Sequence, residues 1–120
     1  MKLGYITIMV RDIEKTVDFY KKTAELEVVR RFNPGMGEIV FMSDEEGGTM
    51  LEFIEFDEAE KVDAKGMVMS YSCSTDLQEK HSQLKSMGMN PSEIMDMPPK
   101  PKHFTIVDPD GLCVEITEHH

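Results

Sequence analysis

Met50-Leu51-Glu52-Phe53-Ile54-Glu55 returns in the second half of the 120-residue chain as Cys113-Val114-Glu115-Ile116-Thr117-Glu118. Both are strand-forming runs with a glutamate in third place. Upstream the echo continues, with Val10-Arg11-Asp12-Ile13 answered by Ser74-Thr75-Asp76-Leu77. Each of these closes an apolar run and opens a helical one. Because the order of elements repeats along with the words, the chain is expected to fold as two similar α+β modules. Each would carry one glutamate at a matching place on its last strand.

Working outward from Glu52, residues 3–10 read as a strand. Tyr5, Thr7 and Met9 share one face, with Ile6, Ile8 and Val10 on the other. Asp12 is the expected N-cap of a helix through about Thr23, with Ile13, Val17 and Tyr20 as its buried stripe. Strands follow at Leu26–Phe32, Glu38–Met42 and Thr49–Phe56, separated by turns at Asn33-Pro34-Gly35 and Glu45-Glu46-Gly47-Gly48. Module one is thus βαβββ over residues 1–57, and residues 58–65 read as a polar linker.

Module two spans residues 66–118. Gly66–Ser74 is strand-like, and Thr75-Asp76-Leu77-Gln78 fits a capping box. The helix stripe is Leu77, His81, Leu84 and Met87, and Gly88 is the stop. The prolines around Met95–Pro101 demand a loop. His103–Val107, the turn Asp108-Pro109-Asp110-Gly111 and Leu112–Thr117 complete a second module, expected to be βαβββ again.

Thirteen basic residues against 23 acidic ones give a net charge of −10. Such a polyanion is repelled by phosphate backbones and anionic lipid, so neither nucleic acid nor membrane is an expected partner. No apolar run approaches the roughly 18 residues of a membrane span. Met1-Lys2-Leu3-Gly4 leads straight into strand-like sequence, which argues against a signal peptide and for a cytoplasmic protein. Cys73 and Cys113 lack metal-type spacing and read as small buried hydrophobes. The terminal His119-His120 resembles the stub of a purification tag and is given no role.

Three stretches together resemble the vicinal oxygen chelate superfamily of glyoxalase I, bleomycin-resistance proteins and extradiol dioxygenases. They are Val10-Arg11-Asp12-Ile13 through Phe19-Tyr20, then Phe104 through Asp108-Pro109-Asp110-Gly111, and the repeated Glu52/Glu115. The resemblance implies tandem βαβββ modules whose mixed sheets curl into a partly open barrel with helices outside. One departure is Ala24-Glu25, where the family usually has Leu-Gly after the first helix.

Metal-dependent members of that superfamily draw one ligand from the first strand and one from the last strand of each module. Carried over, those positions are Tyr5 and Glu52, then Met69 and Glu115. Both glutamates match, but neither first-strand position is histidine. A phenol with a pKa near ~10 is a poor ligand, and a thioether suits Cu(I) better than Ni²⁺, Zn²⁺, Fe²⁺ or Mn²⁺. No cofactor is therefore favoured; a divalent ion, if bound, would rest on Glu52 and Glu115.

The expected ligand site comprises Tyr5, Thr7, Met9, Met50, Glu52, Met69, Tyr71, Cys113 and Glu115. Two registers of the 66–74 strand remain open. One turns Met67, Met69, Tyr71 and Cys73 toward the site, and the other turns Val68, Ser70 and Ser72 there. Tyr5 is the expected hydrogen-bond donor to Glu52. The leading expectation is a homodimer that binds a small organic molecule, with cations favoured by the acidic field. Glu52 or Glu115 could serve as general base, or the two could be a water-solvated polar pair. The alternative is a metal-dependent lyase or isomerase of glyoxalase I type, with Glu52 and Glu115 catalytic and Tyr5 or His103 as third donor.

Overall fold

The apolar faces of the repeated strands need helices to cover them, and each half supplies one. The computed structural model describes residues 1–44 and 47–118. It divides into two units, Met1–Asp63 and the chain from Ala64 onward. The turn expected at 45–48 lies partly outside the described residues, and His119-His120 lies wholly outside them.

The first unit runs β1 (Tyr5–Met9), α1 (Ile13–Thr23), β2 (Glu27–Phe32), β3 (Gly37–Ser43) and β4 (Met50–Phe56). Its sheet has the order β1-β4-β3-β2, with β1 parallel to β4 and the other pairs antiparallel. Register puts Ile6, Ile8, Leu51, Phe53, Val40 and Met42 on the face that α1 covers. There the buried Tyr20 ring stacks on Phe53 with centroids 4.9 Å apart. Asp12 caps α1 as expected, its Oδ1 accepting from Lys15 N–H at 3.2 Å. Glu55 of β4 adds a second cap, accepting from Ile13 N–H at 2.8 Å, so the sheet itself anchors the helix start.

The expected linker is not loose. Val62 N–H donates to Met9 C=O at 2.8 Å, and Arg11 holds Val62 C=O at 3.1 Å. Residues 59–62 thereby return to the end of β1.

The second unit runs β5 (Val68–Ser72), α2 (Leu77–Ser86), β6 (His103–Val107) and β7 (Cys113–Thr117). Its sheet has the order β5-β7-β6, with β5 parallel to β7 and β6 antiparallel to it. It is βαββ, one strand short of the expected repeat. In place of that strand is an isolated bridge between Met95 and His103. Pro91, Pro98, Pro99 and Pro101 remove ladder donors on either side of it. Asp76, one residue after the expected cap, caps α2 by accepting from Glu79 N–H at 3.1 Å. Met87 lies at the helix C-cap and is exposed, so it leaves the expected stripe; Leu77 and Leu84 are buried.

The fold is therefore α+β, with two open mixed sheets and a helix in each unit. Among the described residues, no helix is long and apolar enough to cross a membrane.

Candidate functional site

Each sheet has a second face, opposite its helix, and each of those faces carries one of the repeated glutamates. In the first unit, Thr7, Glu52, Phe41 and Arg30 stand side by side across β1, β4, β3 and β2. Tyr5, Met9 and Met50 lie on the same face by alternation along their strands. All five residues predicted from the first module thus share one surface.

The donor to Glu52 is not the one expected. Thr7 Oγ1 donates to Glu52 Oε1 at 2.5 Å, because Thr7 stands directly across from Glu52 while Tyr5 stands across from Met50. The Tyr5 ring instead meets Phe41 edge to face, with centroids 5.4 Å apart at 85°. Phe41 was missed in the sequence reading; it belongs to this surface as the other cross-strand neighbour of Glu52.

In the second unit the register corrects the expected site. Ser70, and not Met69, stands opposite Glu115, with Thr105 on its other side. Met69 and Tyr71 pair with Val114 and Ile116, on the face shared with Phe104. That is the helix side, where His81 of α2 meets the Phe104 ring at 5.1 Å. Met69 and Tyr71 therefore leave the candidate site, and Val68, Ser70 and Ser72 replace them. Cys113 does share the Glu115 face. Cys73 follows Met69 and Tyr71 in alternation, is buried, and is free like Cys113. Its N–H bonds Thr117 C=O at the far end of β7 from Cys113, which separates the two thiols.

Glu115 is buried and doubly held. Ser70 Oγ donates to Oε1 at 2.9 Å, and Lys100 Nζ approaches Oε2 at 2.7 Å. Burial pushes its carboxyl up, yet the bonds from Lys100 and Ser70, with the charge of Lys100 and the nearby His103, outweigh this and hold it below the ordinary carboxylate value. His103 is itself buried on this face, and its Nδ1 lies 2.9 Å from Pro101 C=O. His81 is tied elsewhere, its Nε2 2.8 Å from Ser92 C=O. Lys100 comes from the proline-rich loop, where no local sequence signal pointed to a partner for Glu115.

The turn before β7 is the other feature predicted from sequence. Asp108 Oδ1 accepts from Asp110 N–H at 2.8 Å and Leu112 N–H at 2.9 Å, which fixes the entry of β7 and so the position of Glu115. The sequence profile of the Glyoxalase/Bleomycin resistance protein/Dioxygenase superfamily matches residues 2–116. The chain belongs to that superfamily. Among solved structures, this superfamily member resembles TnmS3, an antibiotic binding protein from Streptomyces sp. CB03234. The TM-score is 0.78 at 17% identity, over 100% of this chain and 97% of that one. It also resembles the fosfomycin resistance protein FosX from Listeria monocytogenes, at TM-score 0.77 and 16% identity over 100% and 94%. The trypanothione-dependent glyoxalase I of Leishmania major gives 0.76 and 20% over 98% and 86%. At these identities the likeness establishes the shared fold. No curated protein matches the chain.

The superfamily's metal centres use imidazole and carboxylate donors, and here the residues beside the two glutamates are hydroxyls. Among the described residues, no three His, Cys, Asp or Glu side chains form a group able to hold a metal ion. Lys100 sets an ammonium on one of the two carboxylates. A divalent ion placed there would have to displace that like charge, so this donor set does not fit a transition ion.

Proposed function

We propose that this superfamily member binds a small organic molecule and does so without a tightly held metal. The observation that carries the reading is the Lys100–Glu115 pair, 2.7 Å apart and completed by Ser70. A carboxylate already neutralised by an ammonium and a hydroxyl is a poor metal ligand, and it orders one side of a binding surface. The first-unit surface supports the same reading. Met9, Met50, Tyr5 and Phe41 give it adaptable apolar area around one polar anchor, the mix typical of small-molecule sites. TnmS3, which shares the fold, is an antibiotic binding protein.

The reading extends to a homodimer, motivated by the exposed apolar Val28 and Val29 on edge strand β2. A monomer by light scattering would remove that part.

Metal content of protein purified without chelator or affinity tag tests the main claim. The expected result is substoichiometric Ni, Zn, Fe and Mn. Turnover of the methylglyoxal–thiol adduct with added metal is expected to be absent. A stoichiometric ion, or turnover that is lost in Glu115→Gln, would replace this reading with a metal-dependent lyase of glyoxalase I type.

A further inference from the structure

The two repeated glutamates differ in what faces them. Glu115 has an ammonium of its own chain; among the described residues, Glu52 is paired with no basic side chain and has Thr7 as its hydrogen-bond partner. The basic residue on the same row, Arg30, lies two strands from Glu52 beyond Phe41, with its guanidinium 4.6 Å from the centre of the Phe32 ring.

Two aromatic rings share the face of Glu52. Strand β4 lies between β1 and β3, so Tyr5 and Phe41 start from strands roughly 10 Å apart. Their centroids are nevertheless 5.4 Å apart. The two rings therefore meet above β4, over the stretch that contains Met50 and Glu52. Phe41 is the direct cross-strand neighbour of Glu52. Thr7, on the other flank, fixes the carboxylate through Oε1. The result is an anion on the same sheet face as an edge-to-face aromatic pair, one ring of which is its cross-strand neighbour.

We propose that Glu52, Tyr5 and Phe41 form a subsite for the positively charged nitrogen of an organic cation, an alkyl- or quaternary ammonium group. The proposal rests on the small-molecule reading above and adds what the ligand must carry. A carboxylate supplies the charge, and ring faces attract a cation electrostatically while remaining compatible with its alkyl substituents. A bare metal ion would find one carboxylate and one hydroxyl here, too few donors. An anion would meet Glu52 directly. The acidic balance of the chain, −10 overall, raises the local concentration of cations at such a surface.

Titration of isotope-labelled protein with choline, against its neutral isostere 3,3-dimethylbutan-1-ol, tests the subsite by amide chemical shifts. Choline is expected to shift residues of β1, β3 and β4 saturably, and about tenfold or more tighter than the neutral probe. Glu52→Gln, which keeps the side-chain shape, should weaken choline by about tenfold or more. Tyr5→Leu and Phe41→Leu should each weaken it about three- to tenfold and leave the neutral probe nearly unchanged. Equal binding of both probes, shifts confined to the second unit, or no response to choline would each overturn the cation assignment. A neutral or anionic small molecule bound on this face without dependence on Glu52 would overturn it too, yet leave the small-molecule reading standing. A stoichiometric metal ion on Glu52 would overturn both.

Discussion

Ser70 stands directly across from Glu115 in the parallel ladder of β5 and β7 and donates its hydroxyl to that carboxylate at 2.9 Å. Thr7 stands in the same relation to Glu52 in the ladder of β1 and β4. The internal duplication is thus preserved as a hydroxyl–carboxylate pair on adjacent parallel strands. Among the described residues, only the second copy adds a cation, Lys100. That difference separates the two glutamates: Glu115 is held by a hydroxyl and an ammonium, and Glu52 by a hydroxyl.

The held carboxylate makes stability depend on pH in a definite direction. Burial raises the Glu115 carboxyl, but Lys100 and Ser70 pull it below its ordinary value of 4.5. Around that pH the unfolded chain therefore takes up the proton more readily than the folded one. The contribution of Glu115 is fully present above about pH 4.5 and is lost as pH falls through the lower folded value. Urea unfolding of the protein and of Glu115→Gln should give a stability difference that is constant between about pH 7 and 5. It should shrink below about 4.5; a difference that stays level to about pH 3 would refute the assignment.

Removing the other half of the pair should also register. Lys100→Met leaves Glu115 buried with Ser70 as its remaining partner. Lys100 is 48% exposed, so solvent screens part of the attraction. The expected loss is about 1–2 kcal/mol, below the figure for a fully buried pair. Lys100→Arg should recover most of it, since a guanidinium also reaches the carboxylate. Denaturant midpoints measured near neutral pH decide the matter.

Two helix ends in the same chain solve one problem with different residues. After α1, Glu25 adopts φ 57, and Leu26 N–H closes on Tyr20 C=O at 3.1 Å. After α2, Gly88 adopts φ 82, and Met89 N–H closes on Leu84 C=O at 3.2 Å. A left-handed residue with a Cβ costs about 1–2 kcal/mol, and glycine returns about half of that as unfolded-state freedom. Glu25→Gly should therefore stabilise the protein by about 0.5–1 kcal/mol. Gly88→Ala should destabilise it by about 1 kcal/mol. Matching signs for the two changes would contradict this account of the turns.

The repeated words, the Asp12 cap, the Asp108 turn and the superfamily were legible because each is a local pattern with a local physical cause. The Glu52 surface was legible too, since alternation along β1 fixes which side chains share a face. In the second unit two strand registers were open from sequence; Met69 and Tyr71 were named as site residues on one, and the structure takes the other. Two residues, Val10 and Arg11, connect β1 to the cap Asp12, whereas three, Cys73, Ser74 and Thr75, connect β5 to Asp76. Counting back from the helix therefore lands one residue out, and with a period of two that exchanges the faces. The missing strand was hidden by the assumption of symmetry, although the prolines that prevent it were in view. Lys100 and Phe41 reach their partners through tertiary geometry alone, and spacing along the chain carries no trace of such contacts.

That corrected register has a direct energetic signature. Met69 is 9% exposed and lies on the helix side of its sheet, opposite Val114, while its neighbour Val68 is 51% exposed. Truncating a buried methionine removes apolar contacts and leaves a cavity, so Met69→Ala should cost about 2–4 kcal/mol. Val68→Ala should cost less than about 0.5 kcal/mol beyond its small loss of strand propensity. With the opposite register the ranking would invert, because Val68 would face the helix and Met69 would stand beside Glu115. Equilibrium unfolding of the two single variants therefore discriminates the registers by sign. A larger loss in Val68→Ala than in Met69→Ala would return Met69 to the Glu115 face and take Ser70 out of reach of that carboxylate.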